Sequence, residues 1–283
     1  MKENFSVITV SSMTGFAQIL TDPAYLNQIV VFTHPHVGLY DYQRELWQSD
    51  FITVAGVVAR HLSPQWKLWL EEQNVPYATK LQNIKPVSKL LPARHTNIPN
   101  TPYLVLWDFG NKRGIQRALE LMGMNVLTVG EDQCPLQYSN CLGYVLSSGP
   151  GDPKMYTKHL PTIQKILVSK PVLAICLGHQ LMGMALGLKV EKMASGHHGS
   201  HFPCMDTVKN KAVITAQNHG YGLVEGLLPK PWEFRFRNIL DGSIEGLYEP
   251  DWGHISTQFH PEGEPGPQDC FYLLDEYVKL VSL

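Results

Sequence analysis

Three residues of this chain have types and spacing that can do chemistry together: Cys176, and the pair His260 and Glu262. Cys176 follows an apolar run, residues 171–175, and precedes a longer one that continues to residue 188. The first run is short, holds Val and Ile and is opened by Pro171, so it reads as a buried parallel strand. The second is too long for a typical strand and rich in Leu, Met and Ala, so it reads as a buried helix. A residue at such a sharp strand-to-helix turn sits in a nucleophile elbow, best known with serine as G-x-S-x-G. Here the string is Ala174-Ile175-Cys176-Leu177-Gly178, whose small flanks let the turn close. The helix N-terminus beside the thiol favours thiolate. The competing reading is a plain core cysteine, the usual fate of a free thiol.

A cysteine nucleophile needs a base, and the base needs an orienting group. In Gln258-Phe259-His260-Pro261-Glu262, residues two apart on an extended chain share a face. Glu262 can then fix the tautomer of His260 and stabilise its cation. An oxyanion needs N–H donors. The N–H of Leu177 is one, and the Gly149-Pro150-Gly151 loop can supply another, because glycine lets backbone approach a ligand closely. That loop can also be a simple turn. A further cluster, Gly196-His197-His198-Gly199-Ser200-His201 with Cys204 beyond, holds metal-ligand types. Its spacing matches no standard zinc pattern, so we expect a glycine-rich structural loop and no metal.

The elements that must position these groups follow from pattern. Residues 1–90 hold β-like stretches at 6–10, 28–33 and 51–59, and a helical spacing at 64–73 whose Trp66 and Trp69 read as core or contact surface. Residues 91–102 hold three prolines and no periodicity, and read as a linker. From residue 103 strand and helix alternate: strands at 103–109, 126–129, 143–146 and 171–175, helices at 113–122 and 154–169. This order predicts an α/β fold, a mostly parallel sheet flanked by helices. Ligands in such sheets sit beyond the carboxyl ends of the strands, where residues 147–151 and Cys176 both fall. After the elbow helix the chain turns β-rich. Residues 257–260 end a further strand, and 269–281 form a closing amphipathic helix.

The totals bound the rest. At 283 residues the chain suits two modest domains or one large one. A net charge of −2 without long charge runs argues against an extended nucleic-acid surface. No apolar run is long enough to span a membrane, and the N-terminus lacks a signal-peptide pattern. Five cysteines without a CxxC pair suggest reduced thiols and a cytoplasmic chain.

Taken together, SSGPGDP, AICLGHQLMG, SGHHGSHFP, ITAQNHGYG and FHPEGEPGPQD resemble the class I (triad) glutamine amidotransferases. More narrowly, with SSMTGFAQILTDPAY and THPHVG near the N-terminus, the chain is similar to the small, glutamine-hydrolysing chain of carbamoyl-phosphate synthase. The resemblance implies a shortened small-chain N-terminal domain over residues 1–100 and an amidotransferase domain over 101–283. It makes Cys176 the nucleophile, His260 its base and Glu262 the orienting acid. Gly149 and Leu177 would form the oxyanion hole. Gly151, Gln180, Asn218, Gly220 and Tyr221 would hold the substrate, L-glutamine. The implied reaction releases glutamate and ammonia through a cysteine thioester. The ammonia would serve a large synthetase chain that uses bicarbonate and ATP with Mg to make carbamoyl phosphate for arginine and pyrimidine synthesis. No GxxxxGK[ST] motif occurs here, so ATP is expected on that partner, and this chain is expected to carry no cofactor.

Several positions depart from the family pattern. Ala174 replaces the first glycine of the elbow, Ser148 stands where asparagine is usual, and Ala24 replaces an N-terminal serine that helps bind glutamine. The segment 63–100 is compressed. Two other readings therefore stay open: a regulatory, catalytically weak small-chain relative, and an amidotransferase serving a different synthetase.

Overall fold

Val- and Ile-rich runs near the N-terminus pair into a four-stranded parallel sheet: β1 (Ser6–Val10), β2 (Gln28–Phe32), β3 (Gly56–Val58) and β4 (Tyr77–Ala78), in that order. The computed structural model describes residues 5–40, 42–92 and 98–283. The chain divides into two units, Met1–Pro92 and Ala93–Leu283. Part of the expected linker, residues 93–97, lies outside the described residues.

In the first unit, helices α1 (Phe16–Thr21) and α2 (Pro64–Glu72) cover the sheet. Pro64 opens α2 and the Ser63 hydroxyl caps it, accepting the Trp66 N–H at 3.4 Å. Trp66 and Trp69 are fully buried core, packed against Phe16, Tyr42 and Trp47. The strand expected over 51–59 is confined to Gly56–Val58. The preceding residues are buried but bond elsewhere: Thr53 donates its N–H to Leu20 O (2.9 Å) and its hydroxyl to Asp22 O (2.6 Å) at the end of α1. Those groups satisfy open carbonyls near a helix end instead of a ladder.

The second unit is one nine-stranded mixed sheet. It contains β5 (Tyr103–Asp108), β6 (Asn125–Gly130), β7 (Gly143–Leu146), β8 (Val172–Ile175), β9 (Lys189–Asp206), β10 (Lys211–Val224), β11 (Glu233–Asn238), β12 (Ile244–Glu249) and β13 (His254–Thr257). The order is β10-β9-β11-β12-β13-β8-β7-β5-β6. Strands β13, β8, β7, β5 and β6 are parallel; β12, β11, β9 and β10 extend the sheet with antiparallel pairings. Among the described residues four helices flank it: α3 (Arg113–Leu121), α4 (Leu160–Ile166), α5 (Leu177–Ala185) and α6 (Tyr272–Val281). Apolar faces of the strands bury against them in two layers, one including Leu104, Val145, Leu173 and Tyr277, the other Val105, Tyr144, Ala174 and Leu181.

The helix expected over 154–169 is broken in two, a 3₁₀ run at Pro153–His159 followed by α4. Pro161, early in α4, has no N–H to give and its ring crowds the preceding turn, so a continuous helix cannot pass it.

Candidate active site

The elbow forms as its sequence requires. β8 ends at Ile175, and Cys176 caps α5 with φ 55° and ψ −104°. A non-glycine residue at positive φ is strained backbone, held only because its surroundings over-determine it. Three contacts do so: Cys176 N–H donates to Thr257 O at 2.7 Å, Gly178 N–H to Ser147 O at 3.0 Å, and Gln180 N–H to Cys176 O at 3.1 Å. Gly178 packs so closely on β7 that a Cβ there would lie 2.3 Å from Leu146 O. Ala174, at the place of the missing glycine, is a buried strand residue, and the turn closes with it present.

The glycine loop meets the elbow in space. A Cβ on Gly149 would fall 2.8 Å from the Leu177 side chain and 2.3 Å from Phe109 O. Gly149 and Leu177 are thus neighbours, and the Leu177 N–H is among the helix N-terminal donors that have no intrahelical acceptor. Gly151 takes φ 92° in the same loop. The hydroxyl of Ser148 is buried with no hydrogen-bond partner among the described residues.

Two further segments close around the thiol. Past β13, Gln258 Nε2 lies 3.7 Å from Cys176 Sγ, and His260 N–H donates to Ala216 O at 2.9 Å. The strand therefore stops at Thr257, and His260 is held by an isolated bridge to Ala216 of β10. On β10, Asn218 O lies 3.8 Å from Sγ. Asn218 Oδ1 accepts from His198 Nδ1 at 2.7 Å, across the β9–β10 ladder. Gln180 donates Nε2 to Tyr221 O and to Gln258 Oε1, both at 2.9 Å. Burial first, and then the nearby Asp152 carboxylate, raise the Tyr221 hydroxyl, which sets Tyr221 close to the end of the glycine loop. Of the sequence-predicted residues, Asn218 thus lies against the sulfur, and Gln180 is linked to it through Gln258. Ala24 belongs to the first unit, where its N–H bonds Asp22 Oδ1 at 2.9 Å.

His260 and Glu262 meet, with Nδ1 donating to Glu262 Oε1 at 3.0 Å, but across a turn and not along extended chain: the strand has ended at Thr257, and Gly263 N–H donates back to His260 O at 3.3 Å. His260 Nε2 is buried with no hydrogen-bond partner among the described residues. The sequence reading missed the third member of this group. Lys112 Nζ lies 2.8 Å from the same Glu262 oxygen, with both side chains almost wholly buried, and it also donates to Glu264 O. Arg117 holds the Glu264 carboxylate in turn. Burial alone would raise the Glu262 carboxyl, but the Lys112 ammonium and the His260 ring hold it well below the usual carboxylate range. Lys112 is aimed by the turn after β5, where Asp108 Oδ1 accepts the N–H groups of Gly110 (2.7 Å) and Asn111 (2.6 Å). Nothing in linear spacing marks a lysine as partner to a glutamate 150 residues on; the Asp-x-Gly-Asn turn was its sole trace. Gln258, whose carboxamide faces the sulfur, was likewise unassigned. His179, in the elbow helix, is pulled down to about 3 by burial and is neutral, with Nδ1 against Ser256 Oγ at 2.8 Å.

The histidine-rich segment is part of β9, and alternation splits it. His198 serves Asn218, while His197 meets Gln217 Oε1 (2.6 Å), Asp241 Oδ2 (3.0 Å) and Glu245 Oε1 (3.4 Å). His201 stacks on Phe202, and Cys204 pairs with Thr215 Oγ1 at 3.7 Å. His197, His219 and Glu245 cluster closely enough to hold an ion. However, Gln217 Oε1 sits 2.6 Å from His197 Nδ1 and 3.0 Å from His219 Nε2, engaging both inward nitrogens. The set is a polar network in which Glu245 Oε2 has no hydrogen-bond partner among the described residues.

Comparison with known proteins supplies the family. Residues 105–280 match the model of glutamine amidotransferase class-I, and residues 2–90 match that of the carbamoyl-phosphate synthase small chain, CPSase domain. The chain is 35% identical to the carbamoyl phosphate synthase arginine-specific small chain of Geobacillus stearothermophilus, over 99% of this chain and 91% of the relative. That alignment runs over 323 positions, longer than the chain, so the relative carries segments absent here. It is 31% identical to the pyrimidine-specific small chain of Bacillus subtilis strain 168, over 98% and 89%. The crystal structure of a GMP synthase protein from Thermoplasma acidophilum shares the fold, with a TM-score of 0.53 and 19% identity over 65% of this chain and 94% of that one. Among the described residues no helix is long and apolar enough to cross a membrane. With both regions matched and relatives above 30% identity along nearly its whole length, this chain belongs to the carbamoyl-phosphate synthase small-chain family and, through residues 105–280, to the class I glutamine amidotransferases.

Proposed function

We propose that this amidotransferase hydrolyses L-glutamine through a thioester on Cys176 and supplies the ammonia to a carbamoyl-phosphate synthase large chain. The observation that carries the reading is the strained elbow and its neighbours: Cys176 at φ 55°, Gln258 and Asn218 against its sulfur, and His260, two residues past Gln258 and bridged to Ala216, with Nε2 open. In this reading the thiolate adds to the side-chain amide carbon of glutamine. The developing oxyanion takes the N–H groups of Leu177 and Gly149. His260 Nε2 passes a proton to the departing nitrogen, ammonia leaves, and a glutamyl thioester remains. Water then gives a proton to His260 and attacks the thioester, releasing glutamate and restoring the thiol. Glu262, kept ionised by Lys112, holds the imidazole in one tautomer and stabilises its cation. Gly151, Gln180, Asn218, Gly220 and Tyr221 hold the substrate. The small-chain names of the near-full-length relatives support a large-chain partner, and the ATP, Mg and bicarbonate chemistry would lie there.

The test is direct. A glutamine-analogue diazo-ketone should label Cys176 stoichiometrically, and Cys176→Ser should lower glutaminase turnover by on the order of a thousandfold or more. Labelling that persists on another cysteine in the variant sinks the assignment. Adding a large chain with ATP and bicarbonate should raise ammonia release and couple it to carbamoyl phosphate. A rate indifferent to that chain removes the partner from the proposal.

A further inference from the structure

Strand β8 carries the candidate nucleophile at one end; a cavity lies at the other. It measures about 280 Å³ and is bounded by α4, α5, the turn before β11 and the β12–β13 turn. Its place is fixed by His254, the first residue of β13. His254 Nδ1 accepts the Val172 N–H, the first of β8, at 3.1 Å, and Nε2 donates to Leu167 O at 2.9 Å. Both ring nitrogens are committed, so the imidazole is a neutral, rigid plate.

Two tryptophans align on that plate. Trp232 stacks with His254 at 5.3 Å and 7°, and Trp252 at 6.2 Å and 6°. Both indoles line the cavity, and Trp252 is 44% exposed. Trp252 thus offers a large aromatic surface open to solvent at the cavity.

The charge of the cavity has one sign. Its charged lining residues are Glu249 and Asp251. The buried Glu249 carboxylate accepts the N–H groups of Asp251 (3.2 Å) and Trp252 (2.7 Å), which fixes the turn that carries both residues. No ion pair from a described Lys or Arg neutralises either carboxylate. Indole faces carry the negative side of the ring quadrupole and attract cations. An anion would meet two carboxylates, and a neutral apolar molecule would leave the negative charge of both without a counter-charge.

We propose that this cavity binds a small organic cation, an ammonium or guanidinium on an apolar body. The charge lies between the indoles and the two carboxylates, and the body packs on Leu167, Ala185 and Leu186. The site is separate from the thiol: the four-residue β8 places it roughly 13 Å away along the strand.

Choline is a suitable probe, set against its neutral isostere in which carbon replaces the ammonium nitrogen. The full chain is titrated with each while the indole N–H resonances of Trp232 and Trp252 are followed, assigned by Trp→Phe variants. Choline should shift both saturably, and the isostere should bind at least about tenfold more weakly. Trp252→Leu should weaken choline about tenfold, with glutaminase activity unchanged. Asp251→Asn, an exposed change that keeps the fold, should weaken it severalfold and flatten the dependence on salt. Equal binding of the isostere, or no saturable shift with either probe, overturns the proposal.

Discussion

Two buried histidine–carboxylate clusters share the second unit's sheet, and they differ in what each leaves open. His260 gives Nδ1–H to Glu262, and its Nε2 has no partner among the described residues. His197 meets Gln217, Asp241 and Glu245, and His219 meets Tyr221 O and Gln217, so every nitrogen of those two rings is engaged. The carboxylates differ in company as well. Lys112 holds Glu262 well below the usual range, whereas burial raises Glu245, with the His197 ring only partly opposing it. Burial beside a glutamate is therefore not what suits a histidine to proton transfer. In the proposed mechanism, one free nitrogen together with a carboxylate kept charged is what suits His260 to it.

The comparison breaks most sharply at the histidines. His260→Gln should cut glutaminase kcat by on the order of 10²–10⁴. His197→Gln should leave kcat within about tenfold and instead lower stability by about 1–3 kcal/mol, because it strands Asp241, Gln217 and Glu245. Steady-state ammonia release and urea unfolding measure the two effects; equal kcat losses would erase the distinction.

Lys112→Met is next in size. It leaves Glu262 buried without its ammonium, so unfolding free energy should fall by about 3–5 kcal/mol. The sign of the pH effect follows from the depressed carboxyl. In the native chain its contribution is complete above the ordinary 4.5 and is lost only as pH falls toward the lower folded value. Without Lys112 the folded value rises, so the acid limb of the activity profile should move up by about one unit or more. An unmoved acid limb would show that Lys112 does not govern the ionisation of Glu262.

Glu245→Gln should be mildest, within about 1 kcal/mol, since the carboxyl is already disfavoured as an anion by burial. Burial alone would lower His197, but Glu245 and Asp241 raise it. That stabilisation is present below its ordinary 6.5 and is lost as pH rises through the folded value. The variant should therefore shrink the stability gap between about pH 6 and about pH 8. An unchanged gap, read by thermal unfolding, would assign the shift to Asp241 alone.

What the sequence showed of the site tracks locality. The elbow was visible because an apolar strand, a cysteine and a small-residue helix follow one another directly. The His260–Glu262 pair was visible because its members are close in sequence, although a turn, not the expected extended chain, brings them together. The helix over 154–169 was misjudged by reading composition past Pro161, and the strand over 51–59 by reading apolarity without asking which carbonyls Thr53 would satisfy. Lys112 was invisible because its partner is remote in sequence and pairing needs the fold. The histidine segment 196–201 looked like a single cluster, but strand alternation sends His197 and His198 to different partners.

The sequence by itself determined the α/β order, the elbow, and the residue types able to attack an amide and move its proton. These follow from periodicity and short-range geometry, which a chain carries in its local pattern. The tertiary structure alone decided that His260 pairs Nδ1 with Glu262 and keeps Nε2 open, that a buried lysine holds Glu262 ionised, and that Trp232, Trp252 and His254 frame an acidic cavity. Those depend on contacts between strands and turns far apart in the chain, and such contacts exist only once the sheet has brought its ends together.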